Sequence, residues 1–256
     1  MSLVMLALRS LLFNLYYVAS FVLAPLALWV CLPLPRPYMQ RGVRLWVRSL
    51  NVGLEWIAGL SYEVRGLENV PEGAAVFACK HQSAWETTVF FVLADDPAYV
   101  LKKELLLIPF WGWVLGRKCK AIGVDRAGGI GALKRLVRDS SAALDANRQV
   151  IIFPEGSRMA PGKTRPYYPG IAAIYAATDA PVVPVALNSG VFWGRRRFLK
   201  RPGVITLEFL PPVPRGLDRR AFLTELQARI ETASERLRAE AEARIGAEST
   251  GVRTRP

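Results

Sequence analysis

From Leu11 to Leu32 the chain is almost wholly apolar, with Asn14 and Pro25 as its main interruptions. About twenty such residues span a bilayer, so this stretch is read as a membrane segment. A cleaved signal peptide is the weaker alternative, because no small-x-small site precedes Pro33-Leu34-Pro35. Pro25 would kink a spanning helix, which leaves a re-entrant or half-inserted helical pair as a rival to a simple span. A second helix is expected from Pro37 to Leu60. Its Arg41, Arg44 and Arg48 recur at helical spacing, and Leu45, Trp46, Leu50, Leu54 and Ile57 supply apolar surface. Such a helix suits a membrane interface, and it equally suits packing on a domain with its arginines in water. Positive charge directly after the apolar run places the remainder of the chain on the cytoplasmic side. Residues 1–60 are therefore expected to anchor a domain over residues 61–247, followed by a frayed tail from Glu248.

Beyond the anchor the pattern is α/β. Strand-like runs at Tyr62–Arg65, Ala74–Cys79, Val150–Phe153, Val182–Leu187 and Val204–Leu210 alternate with helical stretches at Trp85–Leu93, Ile130–Ala146 and Ile171–Ala177. That alternation predicts a mixed, largely parallel sheet flanked by helices. Asp218 to Ala247 reads as a charged helix packing through Phe222, Leu226, Ile230, Ala233 and Leu237, with no function assigned to it. Three scattered cysteines, Cys31, Cys79 and Cys119, give neither a disulfide framework nor chelating spacing, and with one histidine no metal site is expected. A net charge of +13 asks for acidic partners. With 52% apolar residues, a membrane segment and no nucleic-acid module, lipid phosphate fits better than nucleic acid.

The chemistry concentrates in two loops. His81 is the one histidine, and Glu86 follows five positions later in Lys80-His81-Gln82-Ser83-Ala84-Trp85-Glu86. Imidazole exchanges protons near neutrality, and a carboxylate can fix its tautomer and stabilise the imidazolium. On one continuous helix, positions five apart point about 140° away from each other. The pair meets only if His81 lies where a strand passes into a helix; Ser83 is a candidate N-cap there. The second loop is Phe153-Pro154-Glu155-Gly156-Ser157-Arg158, directly after a buried strand. It presents an anion-binding arginine on a sharply turning backbone, although an ordinary turn with a surface ion pair would read the same.

Together these segments resemble the glycerolipid acyltransferase family, most closely its bacterial 1-acyl-glycerol-3-phosphate acyltransferases. His81 and Glu86 match the H-x4-D/E box, Glu being the less common acid. Lys103-Glu104-Leu105, Pro109, Gly112 and Asp125-Arg126 resemble a second block, Phe153 to Arg158 a third, and Val183-Pro184-Val185-Ala186-Leu187 a fourth. Where the family often shows lysines before a glycine, Tyr167-Tyr168-Pro169-Gly170 stands here, and Lys163 and Arg165 are candidates for the missing charge.

The resemblance implies a glycerol-3-phosphate acyltransferase-like fold and an inner-membrane enzyme facing the cytoplasm. The expected reaction moves an acyl chain from acyl-coenzyme A or acyl carrier protein to lysophosphatidic acid, without a cofactor. His81 would be the general base oriented by Glu86. Arg126 and Arg158 would hold the acceptor phosphate, with Gly156 and Ser157 in the same loop and Lys103 as a secondary cation. Glu155 would accept from the acceptor's glycerol hydroxyl or hold an arginine. Alternatives are a different lysolipid acceptor, or a membrane lipid-binding protein without catalysis. A Ser83 hydrolase triad lacks the surrounding nucleophile elbow, and Cys79 reads as a buried apolar thiol. The Phe192–Arg201 stretch fits an interfacial loop, a contact for coenzyme A phosphates, or a solvated basic loop. Leu105 to Leu115, too short to span, fits an acyl channel, a dip into the leaflet or core packing.

Overall fold

The computed structural model describes residues 2–125 and 128–249. Helix α1 runs from Leu3 to Trp29 and α2 from Arg36 to Gly53, the latter continued by a π-type turn over Leu54–Ala58. Ser2 caps α1, its Oγ accepting from the Met5 N–H at 3.3 Å. Pro25 sits inside α1 and cannot donate to the Phe21 carbonyl. Trp111 supplies the missing donor, its Nε1–H reaching Phe21 O at 2.8 Å. The helix thus continues past the proline to Trp29.

The order then runs β1 (Leu60–Arg65), β2 (Ala75–Cys79), α3 (Glu86–Leu93), β3 (Pro97–Lys102), β4 (Ile122–Val124), α4 (Gly129–Asp145) and β5 (Gln149–Ile152). It finishes with α5 (Gly170–Ala177), β6 (Val182–Leu187), the short α6 (Ser189–Phe192), β7 (Gly203–Phe209) and α7 (Arg219–Ser249). The strands form one seven-stranded sheet in the order β1-β7-β6-β2-β5-β3-β4. All neighbours are parallel except β6 and β7. β1 and β7 therefore run against the other five strands, as the mixed, largely parallel expectation required. The sequence patterns missed β3 and β4. β4 has only three residues, and β3 opens on Pro97, a position where a strand tolerates proline.

Successive side chains of β2 point to opposite faces. Ala75, Phe77 and Cys79 face a core shared with α1, α2 and α3, including Phe13, Val43, Val47, Val89 and Phe90. Val76 and Ala78 face a second core with α4, α5 and α7, where Phe222, Leu226 and Ile230 are buried as their spacing predicted. Of the two uses open to the second helix, packing accounts for its inner stripe of Met39, Val43, Val47 and Leu50, while Leu45, Val52 and Trp56 remain exposed. Close approach of α1 and α2 requires glycine at two points: a Cβ on Gly42 would lie 2.4 Å from Leu28 Cδ2, and one on Gly53 2.4 Å from Tyr16 Cε1. The helical backbone of α7 runs through Ser249, past the expected start of the tail, and residues 250–256 lie outside the described residues.

Candidate active site

Three adjacent parallel strands end together. Ala78 pairs with Ile152 and Cys79 with Val185, so the loops after β2, β5 and β6 leave the sheet side by side. Carboxyl ends of strands are where open α/β sheets place their sites. His81 lies two residues past β2, outside any helix, and Glu86 is the first residue of α3. The five-residue spacing thereby closes: His81 Nδ1 is 3.0 Å from Glu86 Oε1.

Glu86 is fully buried, and its carboxylate is saturated with donors. Oε1 also accepts from the Gln82 N–H at 2.6 Å and the Ser83 N–H at 2.5 Å, and Oε2 from the Ser189 hydroxyl at 2.9 Å. A carboxylate at Nδ1 fixes the proton there, so Nε2 carries the free lone pair. Nε2 has no hydrogen-bond partner among the described residues, and the His81 side chain keeps 13% exposure. The imidazole stacks on Phe153, ring centroids 4.2 Å apart and planes 23° apart. A ring held at one nitrogen, backed by an aromatic face and open at the other nitrogen is built to accept a proton.

The β5 loop sits underneath. Glu155, expected on substrate or on an arginine, is instead fully buried, accepting from the His81 backbone N–H at 2.9 Å and from Lys80 Nζ at 2.7 Å. Burial pushes its carboxyl above the usual range, and the Lys80 ammonium draws it back. Gly156 takes φ +65, the left-handed geometry that lets this loop turn away from the strand. Met159 N–H closes the loop on the His81 carbonyl at 2.7 Å. Arg158, one residue before Met159, is half-buried. Arg165 orders the loop, donating to Ser157 Oγ and Tyr168 Oη, each at 3.1 Å. Lys163 contributes its carbonyl to Lys80, at 3.2 Å, and leaves its side chain exposed. Lys103 follows β3 and pairs with Asp125 after β4 at 2.5 Å. With strands about 4.8 Å apart, it stands two strands, roughly 10 Å, from the His81 strand. Arg126 lies outside the described residues.

Two alternatives fail on geometry. Ser83 Oγ accepts from the Trp85 N–H at 3.2 Å and makes no bond to His81 among the described residues, so no Ser–His pair forms. Cys79 is buried, and loss of solvent together with the Glu86 and Glu155 charges holds its thiol well above the usual range.

A family model described as Acyltransferase matches residues 61–188. The 1-acyl-sn-glycerol-3-phosphate acyltransferase of Pseudomonas aeruginosa is 36% identical over 227 residues, 88% of each chain. The chain belongs to the acyltransferase family. This acyltransferase is also 28% identical to the 1-acyl-sn-glycerol-3-phosphate acyltransferase of Limnanthes alba, over 78% of this chain and 73% of that one. The crystal structure of the 1-acyl-sn-glycerophosphate (LPA) acyltransferase PlsC from Thermotoga maritima superposes with a TM-score of 0.73 at 22% identity. It covers 90% of this chain and 97% of its own, a likeness that speaks to the fold.

Sequence reasoning passed over four residues that the acyltransferase uses to build this site. Lys80 stands in the sequence only as the residue before His81 and Tyr167 only as one of two tyrosines where the family often shows lysines, while Ser189 and Glu231 carry no pattern of their own. Only Lys80 carried a signal, a lysine directly continuing a fully apolar strand.

Proposed function

We propose that this acyltransferase transfers an acyl chain from an acyl thioester to the sn-2 hydroxyl of 1-acyl-sn-glycerol-3-phosphate, giving phosphatidic acid. The observation that carries the mechanism is the His81–Glu86 pair, with Nε2 open beside a loop that carries Arg158. The names of the relatives support the choice of acceptor.

In this reading His81 Nε2 takes the proton of the acceptor hydroxyl as its oxygen attacks the thioester carbonyl. The tetrahedral intermediate collapses by breaking the C–S bond, and the departing thiolate receives the proton back from the imidazolium. Glu86 stabilises that imidazolium and keeps its ring oriented. Two substrates held together need no acyl-enzyme, and their positioning supplies much of the acceleration.

Arg158 serves the acceptor phosphate. Because a phosphate contact persists from ground state to transition state, replacing Arg158 with alanine should raise the acceptor KM with kcat nearly unchanged. A charge-assisted hydrogen bond of about 1.5–3 kcal/mol corresponds to a rise of roughly ten-fold or more. Steady-state kinetics across lysolipid concentrations decide this, and an unmoved KM removes Arg158 from the phosphate site.

Membrane attachment through α1 belongs to the same proposal. α1 is the one helix among the described residues long and apolar enough to cross a bilayer. Leu8, Leu11, Leu12, Leu15, Val18 and Val22 are exposed along it. The segment after β3 extends this face, because Phe110 and Trp113 pack on Trp29 while Leu107 and Ile108 stay exposed. Arg41 and Arg48, exposed on α2, fit the cytoplasmic side of that surface. A charge at membrane depth costs about 2.5–3.5 kcal/mol, so Leu15→Asp with Val18→Asp should weaken vesicle binding by at least about a hundred-fold. Flotation with vesicles of phosphatidylethanolamine and phosphatidylglycerol measures it; unchanged flotation removes α1 from the membrane surface.

The donor is coenzyme A-linked or carrier-protein-linked. Arg195, Arg196 and Arg197 stand exposed on a turn tied to the site, Arg195 Nη1 reaching the Arg158 carbonyl at 3.4 Å. Lys200, buried beneath that turn, is brought down to about 8 by loss of solvent. These arginines suit donor phosphates or lipid headgroups. Acyl transfer from labelled acyl-coenzyme A and acyl carrier protein to lysophosphatidic acid and a panel of other lysolipids tests the whole reading. Product from a different lysolipid alone would move the specificity, and no product with either donor would favour a lipid-binding protein.

A further inference from the structure

Beneath the catalytic pair lies a buried ammonium. Lys80 directly precedes His81, and its side chain is 1% exposed. Cys79 faces the core under α1 and α2, so alternation sends Lys80 to the opposite side, toward α7. There Nζ meets Glu155 Oε1 at 2.7 Å, Glu231 Oε2 at 2.7 Å and Oε1 at 2.8 Å, and the Lys163 carbonyl at 3.2 Å. Tyr167 donates its hydroxyl to Glu231 Oε1 at 2.9 Å. Glu155 and Lys163 of the loop after β5 and Glu231 of α7 thus converge on one nitrogen.

Packing alone does not call for this arrangement. A buried ion pair is often no more stabilising than apolar side chains of the same volume, so a lysine here suggests a role in geometry. Its partners say which geometry. One oxygen of Glu155 is held by Lys80, and the other accepts the His81 backbone N–H. The ammonium therefore fixes the rotation of the Glu155 carboxylate, and that carboxylate fixes the backbone from which the imidazole projects. Glu231, three quarters buried on α7, holds the ammonium from the far side. Without Lys80, the two carboxylates would face each other with no cation between them, and Glu155 would lose the contact that aims it at His81.

We propose that Lys80 and Glu231 are positioning residues for the catalytic base, acting on His81 through Glu155. The proposal rests on His81 being the base of the acyl transfer described above. It also gives α7, whose mixed charges suggested no function, a direct hold on the catalytic loop.

The test uses the full-length protein in detergent or vesicles and compares Lys80→Met, Glu231→Gln and the double variant. A misplacement of about 1 Å at a reacting group costs up to roughly a hundred-fold. Lys80→Met should therefore lower kcat by about 10- to 100-fold, with both KM values within about two-fold of native. Glu231→Gln should fall less, because Lys80 keeps Glu155, and the double variant should fall no further than Lys80→Met alone. The chain has one histidine, so the 15N imidazole resonances of His81 report its setting without ambiguity. They should shift in Lys80→Met and stay in place in Phe222→Leu, a change in the α7 core stripe. Native kcat in a folded Lys80→Met variant, or unshifted His81 resonances, would overturn the proposal. So would activity loss that merely tracks the unfolded fraction in both single variants. If Lys80→Met does not fold, Glu231→Gln carries the test, and native kcat and resonances in that variant overturn it. Should the native protein fail to acylate lysophosphatidic acid, the functional reading fails first, while the resonances still report whether the cluster sets the imidazole.

Discussion

His81→Ala is expected to lower kcat by about 10²–10⁴-fold, the usual worth of a positioned general base. An alcohol attacks a thioester poorly while it keeps its proton, and Nε2 is the ring nitrogen left open to take it. The fold should survive the change. Glu86 keeps the Gln82 and Ser83 N–H groups and the Ser189 hydroxyl as donors, so its buried charge is not stranded. The Glu155 contact and the Met159 bond involve the His81 backbone, which alanine retains. What is lost structurally is the stacking on Phe153, about 0.5–1.5 kcal/mol for a ring pair. Turnover of labelled acyl-coenzyme A, read beside a thermal melt, checks both expectations. Activity within ten-fold of native would remove His81 from proton transfer, and loss of folding would make it a structural histidine.

Glu86→Gln is expected to lower kcat by a comparable amount, about 10²–10⁴-fold, because the imidazolium loses its counter-charge and the tautomer loses its guide. Three of the four donors converge on Oε1, so the amide oxygen must occupy that position and leave its NH2 toward Ser189, whose hydroxyl can accept. If the amide turns the other way, it faces three N–H groups with its own N–H and drives the ring proton to Nε2, where it blocks the base. Glu86→Asp keeps the charge and, with a shorter reach, should retain part of the activity. A kcat comparison of the three proteins separates these cases, and native turnover in Glu86→Gln would deny the carboxylate its role.

The central strands were legible because β2, β5 and β6 are buried on both faces and read as unbroken apolar runs. β3 and β4 escaped because one begins with proline and the other is three residues long. The His81–Glu86 contact was legible as a condition, that a strand must give way to a helix between them, and the structure meets it. Glu155 shows where such reading stops. Its neighbours Phe153, Arg158 and Gly156 suggested a substrate contact, yet its partners are Lys80, 75 positions earlier, and the backbone one residue further on. Nothing local distinguishes a carboxylate that meets a ligand from one that meets a distant lysine. Glu231 was hidden for the same reason, being one acid among many on a helix whose apolar stripe alone carried information.

Phe13 of α1 and Phe77 of β2 belong to one continuous apolar core, and Asn51 at the end of α2 accepts the Trp85 indole N–H at 2.8 Å, one residue before Glu86. α1, α2 and the His81–Glu86 loop are thus packed on one shared core. Amphiphile that covers the outer face of α1 more tightly in the assembled state than in the unfolded chain favours assembly, each ten-fold difference in affinity adding up to about 1.4 kcal/mol. On the proposed reading that α1 lies in a bilayer, the lipid phase acts as a ligand of folding, and its withdrawal loosens the His81–Glu86 loop together with α1.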